Sequence, residues 1–235
     1  MSLEKTLKQL ADTTSEYRYF NARTVATVDI DHVIGVRVPK LRKLAAQMHR
    51  DGSASAFLQE LPHFFLEENE VHAYLLNYEK DFGAAVAALD AFLPYVDNWA
   101  VCDALDPKAF AQADTVRLIQ QAARWMSSEH AFTRRFGISI HMRHLLDTSF
   151  EPPFLEDVCA ADDGSYYVRM MIAWYLATAL DKQWNSTEKL IAARTLDPWI
   201  QNKAIQKARE SRVIPEERKE HLRGFRLKAT RSSRP

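Results

Sequence analysis

A few residues in this chain are of types, and at spacings, that could do chemistry. The first pair is Trp99 and Asp103, within Asp97-Asn98-Trp99-Ala100-Val101-Cys102-Asp103-Ala104-Leu105-Asp106. The stretch reads as a short helix with Asp97 or Asn98 as N-cap and Pro107 ending it. Trp99 and Asp103 are i and i+4 and share one face, whereas Val101 and Leu105, spaced the same way, lie opposite. Burying the apolar pair leaves an aromatic ring and a carboxylate side by side on the outward face, an arrangement that invites a partner. The alternative is that Trp99 packs under the next helix while Asp103 caps or forms an ion pair.

Trp174 is a second such ring. Val168, Met171, Ile172, Tyr175, Leu176 and Ala179 recur at helical spacing as one core stripe, and Trp174 points about 130° away from it. A covering neighbour helix would explain it equally well. Arg134 and Arg135 are adjacent in an otherwise apolar helix and cannot both be buried cheaply. At least one should meet solvent, an acid or a phosphate, the generic expectation being an ion pair with the acidic segment 51–110. His141-x-x-His144 with Asp147 has i, i+3 spacing but no third spaced ligand, so no metal site is expected. There is no Walker A loop, no G-x-S-x-G, no nucleotide-binding glycine fingerprint and no H-E-x-x-H.

The elements that must position these residues are helices. Glycine is scarce, hairpin turn signals are missing, and apolar residues recur at helical spacing almost throughout. The pattern predicts helices over roughly 3–12, 16–26, 39–50, 53–61, 68–80, 83–92, 98–105, 107–112, 114–127, 131–146, 151–161, 165–181, 186–193, 197–210 and 215–227. Short separators rich in Pro, Asp, Gly and Ser divide them. Helix pairs recurring every ~35–45 residues suggest an α-solenoid of the HEAT or armadillo sort, with a globular helical bundle as the alternative. No Gly/Ser- or Pro-rich linker interrupts the chain, so residues 1–228 read as one domain, followed by a basic tail over 229–235.

At 235 residues the chain can bury a substantial core, and 47% hydrophobic with 26% charged residues is an ordinary globular balance. No apolar run approaches a membrane span and the N-terminus has no signal-peptide core. Cys102 and Cys159 are too few and too far apart for a disulfide framework or a zinc knuckle. These features point to a cytoplasmic protein. The net charge of zero conceals segregation: segment 51–110 holds eleven acids against Lys80 and Lys108, while 201–235 holds eleven Lys/Arg against four acids. Segment 16–50 is also basic. Such polarity suits a polyanion, and it makes Arg37, Lys40, Arg134, Arg169, Lys203 and Lys207 candidate phosphate contacts.

Four stretches carry a resemblance. Ile34-Gly35-Val36-Arg37-Val38-Pro39-Lys40-Leu41-Arg42-Lys43-Leu44-Ala45 resembles an element near the start of the AlkD-like DNA alkylation repair family. Tyr95-Val96-Asp97-Asn98-Trp99-Ala100-Val101-Cys102-Asp103, Thr133-Arg134-Arg135-Phe136-Gly137-Ile138 and Met171-Ile172-Ala173-Trp174-Tyr175 resemble further elements, in the same order. The similarity runs from about residue 16 to 225.

The resemblance implies an all-α, right-handed superhelix of HEAT-like repeats whose concave face holds duplex DNA. It implies excision of positively charged N3- and N7-alkylpurines without the base-flipping pocket that base-directed enzymes generally use. The catalytic carboxylate then falls on Asp103, the two aromatics facing the deoxyribose on Trp99 and Trp174, and the phosphate-side arginine on Arg135, with Arg134 as its neighbour. A cationic purine leaves without a general acid. What remains is an oxocarbenium-like sugar, stabilised by a carboxylate that also positions water and by indole faces worth roughly 0.5–2 kcal/mol each. No metal, nucleotide or other cofactor is implied, nor any membrane partner, and the family suggests a monomer. Ala100 and Ala177 depart from the pattern, standing where family members can carry an acid and an arginine.

Overall fold

The computed structural model describes residues 2–228; the expected tail over 229–235 lies outside the described residues. Among the described residues there are helices and no strands, and no helix is long and apolar enough to cross a membrane. The chain packs as two compact units, Met1–Ala113 and Asp114–Pro235.

The first unit contains α1 (Leu3–Leu10), α2 (Ser15–Val25), α3 (Val38–Asp51), α4 (Ala54–Phe57), α5 (Leu66–Leu76), α6 (Phe82–Phe92) and α7 (Trp99–Ala104). The predicted helix 53–61 shrinks to α4. Beyond it, Gln59 and Glu60 donate to carbonyls three residues back, so the chain tightens into turns before Pro62. The predicted helix 107–112 is a 3-10 helix, Lys108–Gln112. The apolar faces of α3 and α5 meet around Leu41, Ala45, Met48, Val71 and Leu75.

One buried acid organises this unit. Glu67 is 0% exposed, yet its carboxylate accepts from the backbone N–H of Ile34 at 2.9 Å, Gly35 at 2.6 Å and Val36 at 3.2 Å. Three charge-assisted bonds offset the cost of removing the ion from water. The clasp holds the strand-like segment that enters α3, where Gly35 has φ +96° and an added Cβ would lie 3.0 Å from Arg18 Cβ. Only glycine fits that conformation and that space.

The second unit contains α8 (Thr115–Met126), α9 (Ala131–His144), α10 (Pro153–Ala160), α11 (Tyr166–Lys182), α12 (Trp184–Ala193), α13 (Pro198–Glu210) and α14 (Glu216–Arg223). Helix α9 packs on α8 and α11, and α11 in turn packs on α13. Contact at Gly137 is intimate: a Cβ there would stand 2.7 Å from Met126 N and 2.8 Å from Ala122 O of α8. The whole predicted stripe of α11, Val168 through Ala179, is 0% exposed. Each large apolar side chain in it contributes about 1.5–3 kcal/mol by burial. Ala173, Ala177 and Leu180 are buried as well, so the sealed face is wider than the stripe.

Candidate functional site

Helix α7 has only six residues, too short to hold itself together, and it is pinned at both ends. Asn98 is the N-cap, its Oδ1 accepting from Val101 N at 3.0 Å, while its Nδ2 donates to Asp97 Oδ1 at 2.8 Å. At the other end, Asn77 Nδ2 donates to the Ala104 carbonyl at 2.7 Å and Asn77 Oδ1 accepts from Asp106 N at 2.6 Å. Val101, Cys102 and Leu105 are sealed at 0% exposure. Trp99 and Asp103, on the other face, are half-buried; the outward face is therefore partly walled rather than open. Asn77 has no counterpart in the sequence reading, since its partners lie 27 and 29 residues away and no local pattern announces them.

Near the start of the same unit, two of the expected phosphate contacts are occupied with other work. Arg37 Nε pairs with Asp12 at 2.6 Å and its guanidinium lies over Tyr17. Asp12 is held below the usual carboxylate range, chiefly by that hydrogen bond. Lys40 Nζ donates to the Leu10 carbonyl at 2.8 Å, closing the end of α1.

In the second unit Trp174 is 39% exposed on an otherwise well-buried helix, as the 100° rule placed it. Lys207 of α13 sets its Nζ 5.8 Å from the Trp174 ring centroid. The two line a cleft of about 330 Å³ with Ala177, Thr178, Asp181, Glu210, Ser211 and Val213. Ala177, 8% exposed, lines the cleft three residues on from Trp174. The Lys207 ammonium is held below the ordinary lysine value, first by burial and then by Lys203 and Arg135, with Glu210 acting the other way. Trp174, Thr178 and Asp181 are i, i+4 and i+7, so the spacing in the sequence already contained Asp181 as a neighbour of the ring.

The two arginines of the pair have different surroundings. Arg134 donates to the carbonyls of Ser128 and Ala161 and stands 3.8 Å from Asp163. That acid belongs to the turn before α11. Arg135 is 3% exposed, and its Nη1 donates to the Tyr167 carbonyl at 2.8 Å. Arg169 ties Asp162 at 2.9 Å to Asp197 at 3.7 Å, bridging the turn before α11 and the start of α13. Lys203 donates to Gln206 and lies over Trp199.

Trp99 and Asp103 thus share one face of α7, and Lys207 lies against Trp174, while Arg37, Lys40, Arg134 and Arg169 serve as ties within the fold. His141 is a core residue. Among the described residues neither of its ring nitrogens finds a hydrogen-bond partner, and burial pushes it down to about 4, so it is neutral.

A search of curated proteins and a search of solved structures each found no match. A family model described as DNA alkylation repair enzyme matches residues 3–208. That span takes in α7, α9, α11 and α13 as far as Ala208, and leaves out Glu210 and α14. By this match the chain belongs to the DNA alkylation repair enzyme family.

Proposed function

We propose that the protein is a DNA glycosylase that hydrolyses the N-glycosidic bond of positively charged N3- and N7-alkylpurines in duplex DNA, with no base-flipping pocket and no cofactor. The frame in this reading is a right-handed superhelix of HEAT-like repeats, and the working form is a cytoplasmic monomer. The observation that carries it is the Trp99/Asp103 pair. A ring and a carboxylate share the one unsealed face of a helix pinned at both ends, which suits charge stabilisation by preorganised groups.

On this reading Asp103 stabilises the sugar cation and positions water, and Trp99 and Trp174 offer their faces to the same charge. Of the expected phosphate contacts, Arg37 and Lys40 are exposed, and Lys203 is half-buried over Trp199. Release of 7-methylguanine from duplex DNA tests the proposal. Asp103→Asn should slow release by about 10²–10³-fold, the size of a lost electrostatic stabiliser. Equal release by that variant would sink the mechanism.

One observation favours a second reading, a family member that binds damaged or branched DNA without excising the base. The guanidinium expected at a phosphate, Arg135, is 3% exposed and bonded to the Tyr167 carbonyl. Salt-dependent binding of duplex DNA together with no base release would select this alternative.

A further inference from the structure

The cleft beside Trp174 holds more than a DNA contact requires. A lysine that only touches phosphate should extend into solvent as a hydrated ammonium. Lys207 instead lies half-buried against an indole, in a cleft of about 330 Å³ that also holds carboxylates from two helices, Asp181 of α11 and Glu210 of α13. Glu210 is engaged, accepting from Gln206 Nε2 at 2.8 Å. Asp181 is exposed and lies on the same face of α11 as Trp174.

We propose that Lys207 is a nucleophile for the abasic sugar, making the protein an abasic-site lyase as well as a glycosylase. The inference rests on the proposed function, because it takes Trp174 to lie against the deoxyribose that base excision leaves open. Desolvation and neighbouring cations are the two standard ways to free a lysine's lone pair, and both act on Lys207. Burial contributes most, Lys203 and Arg135 add to it, and Glu210 opposes them. Asp181 is the remaining charged group lining the cleft. In this arrangement the buried Arg135 serves as a fixed positive charge near the amine.

The chemistry balances without an added reagent. The neutral amine adds to C1′ of the ring-opened sugar aldehyde, and the aldehyde oxygen leaves as water, giving a protonated imine. Asp181 takes a C2′ proton; the electron pair of that bond forms the C2′–C3′ double bond, and the C3′–O bond breaks with its pair leaving on the 3′ phosphate. Water then hydrolyses the imine, returning the amine of Lys207 and releasing an unsaturated aldehyde on the nicked strand.

The test uses the full chain and a duplex with a single abasic site prepared beforehand by a separate enzyme, so base excision is not required. Sodium borohydride reduces the imine to a stable secondary amine, seen as a protein–DNA adduct on a denaturing gel. Wild type should give the adduct. Lys207→Arg, which keeps the positive charge but has no primary amine, should bind the same duplex and give none. Absence of adduct from wild type while the duplex is bound overturns the inference, as does an equal adduct from Lys207→Arg. Release of 7-methylguanine, scored on a separate alkylated duplex, judges the excision reading. An adduct without base release supports the Lys207 assignment and counts against the excision reading alone.

Discussion

Asn77 of α5 reaches 27 residues along the chain to donate its Nδ2 to the Ala104 carbonyl at 2.7 Å. The same side chain receives Asp106 N, so one amide closes the C-terminal end of the helix that carries Trp99 and Asp103. Asn77→Ala removes both bonds and leaves the Ala104 carbonyl without that donor. A stability loss of about 1–3 kcal/mol is expected from urea unfolding. On the proposed function, single-turnover base release should fall while DNA affinity changes little, because Asn77 acts by positioning α7 through Ala104 and Asp106.

The Glu67 clasp gives a sharper test of the fold. Glu67→Gln keeps the shape but replaces one acceptor oxygen with an NH2 that faces backbone donors. The variant should lose about 3 kcal/mol, since a buried charge-assisted network is broken and donors are left unsatisfied. The denaturation midpoint would report it. An unchanged midpoint would mean that the three bonds contribute nothing net.

Two groups of buried side chains set opposing pH trends. Burial, with the charge of Glu67 beside it, pushes Glu70 up from 4.5 to about 8, and Arg42 opposes this. Tyr17 and Tyr74 also face it. Between those values the folded chain keeps a proton that the unfolded chain has released, so stability falls as pH rises from 4.5 to 8. His63 and His72, joined at 2.8 Å, run the other way. Burial lowers them from 6.5 to about 4 and about 3, so the unfolded chain takes up protons first and stability falls as pH drops below 6.5. Glu70→Gln should therefore be more stable than wild type at pH 8, with the difference shrinking towards pH 5, as read by urea midpoints at both values.

Lys207 predicts a rate profile. Its depressed amine should make borohydride trapping rise with pH and reach half its maximum below the ordinary lysine value of 10.5. Arg135→Gln removes one of the cations responsible, so the midpoint of that profile should move upward. A profile centred at or above 10.5 in wild type would deny the amine any activation.

Gly137→Ala tests the α8–α9 contact. The new methyl would lie 2.7 Å from Met126 N and 2.8 Å from Ala122 O, both backbone atoms, so a helix has to move. Overpacking of this kind costs about 3 kcal/mol, measurable as a lowered unfolding midpoint.

Most of the helices are legible from sequence because they are written locally, in apolar spacing and in a cap such as Asn98. Trp174 was legible for the same reason, since a helical wheel is enough to place it off the α11 stripe. What stayed hidden depends on partners distant in sequence. The Tyr167 carbonyl that Arg135 meets lies 32 residues away, and Asp163 beside Arg134 sits beyond an intervening helix, so neither partner shows in the local pattern. The Ile34-Gly35-Val36 stretch carried a family resemblance, but its physical basis, a buried carboxylate on α5, is visible only in three dimensions.

Trp174 also gives the cleft an optical handle. Of the five tryptophans, Trp125 is 2% exposed, Trp99, Trp184 and Trp199 are half-buried and Trp174 is 39% exposed, so the iodide-quenched emission that a Trp174→Phe variant loses belongs to Trp174. A strand lying in the cleft would shield that ring from the quencher, turning occupancy into a fluorescence signal that needs no label.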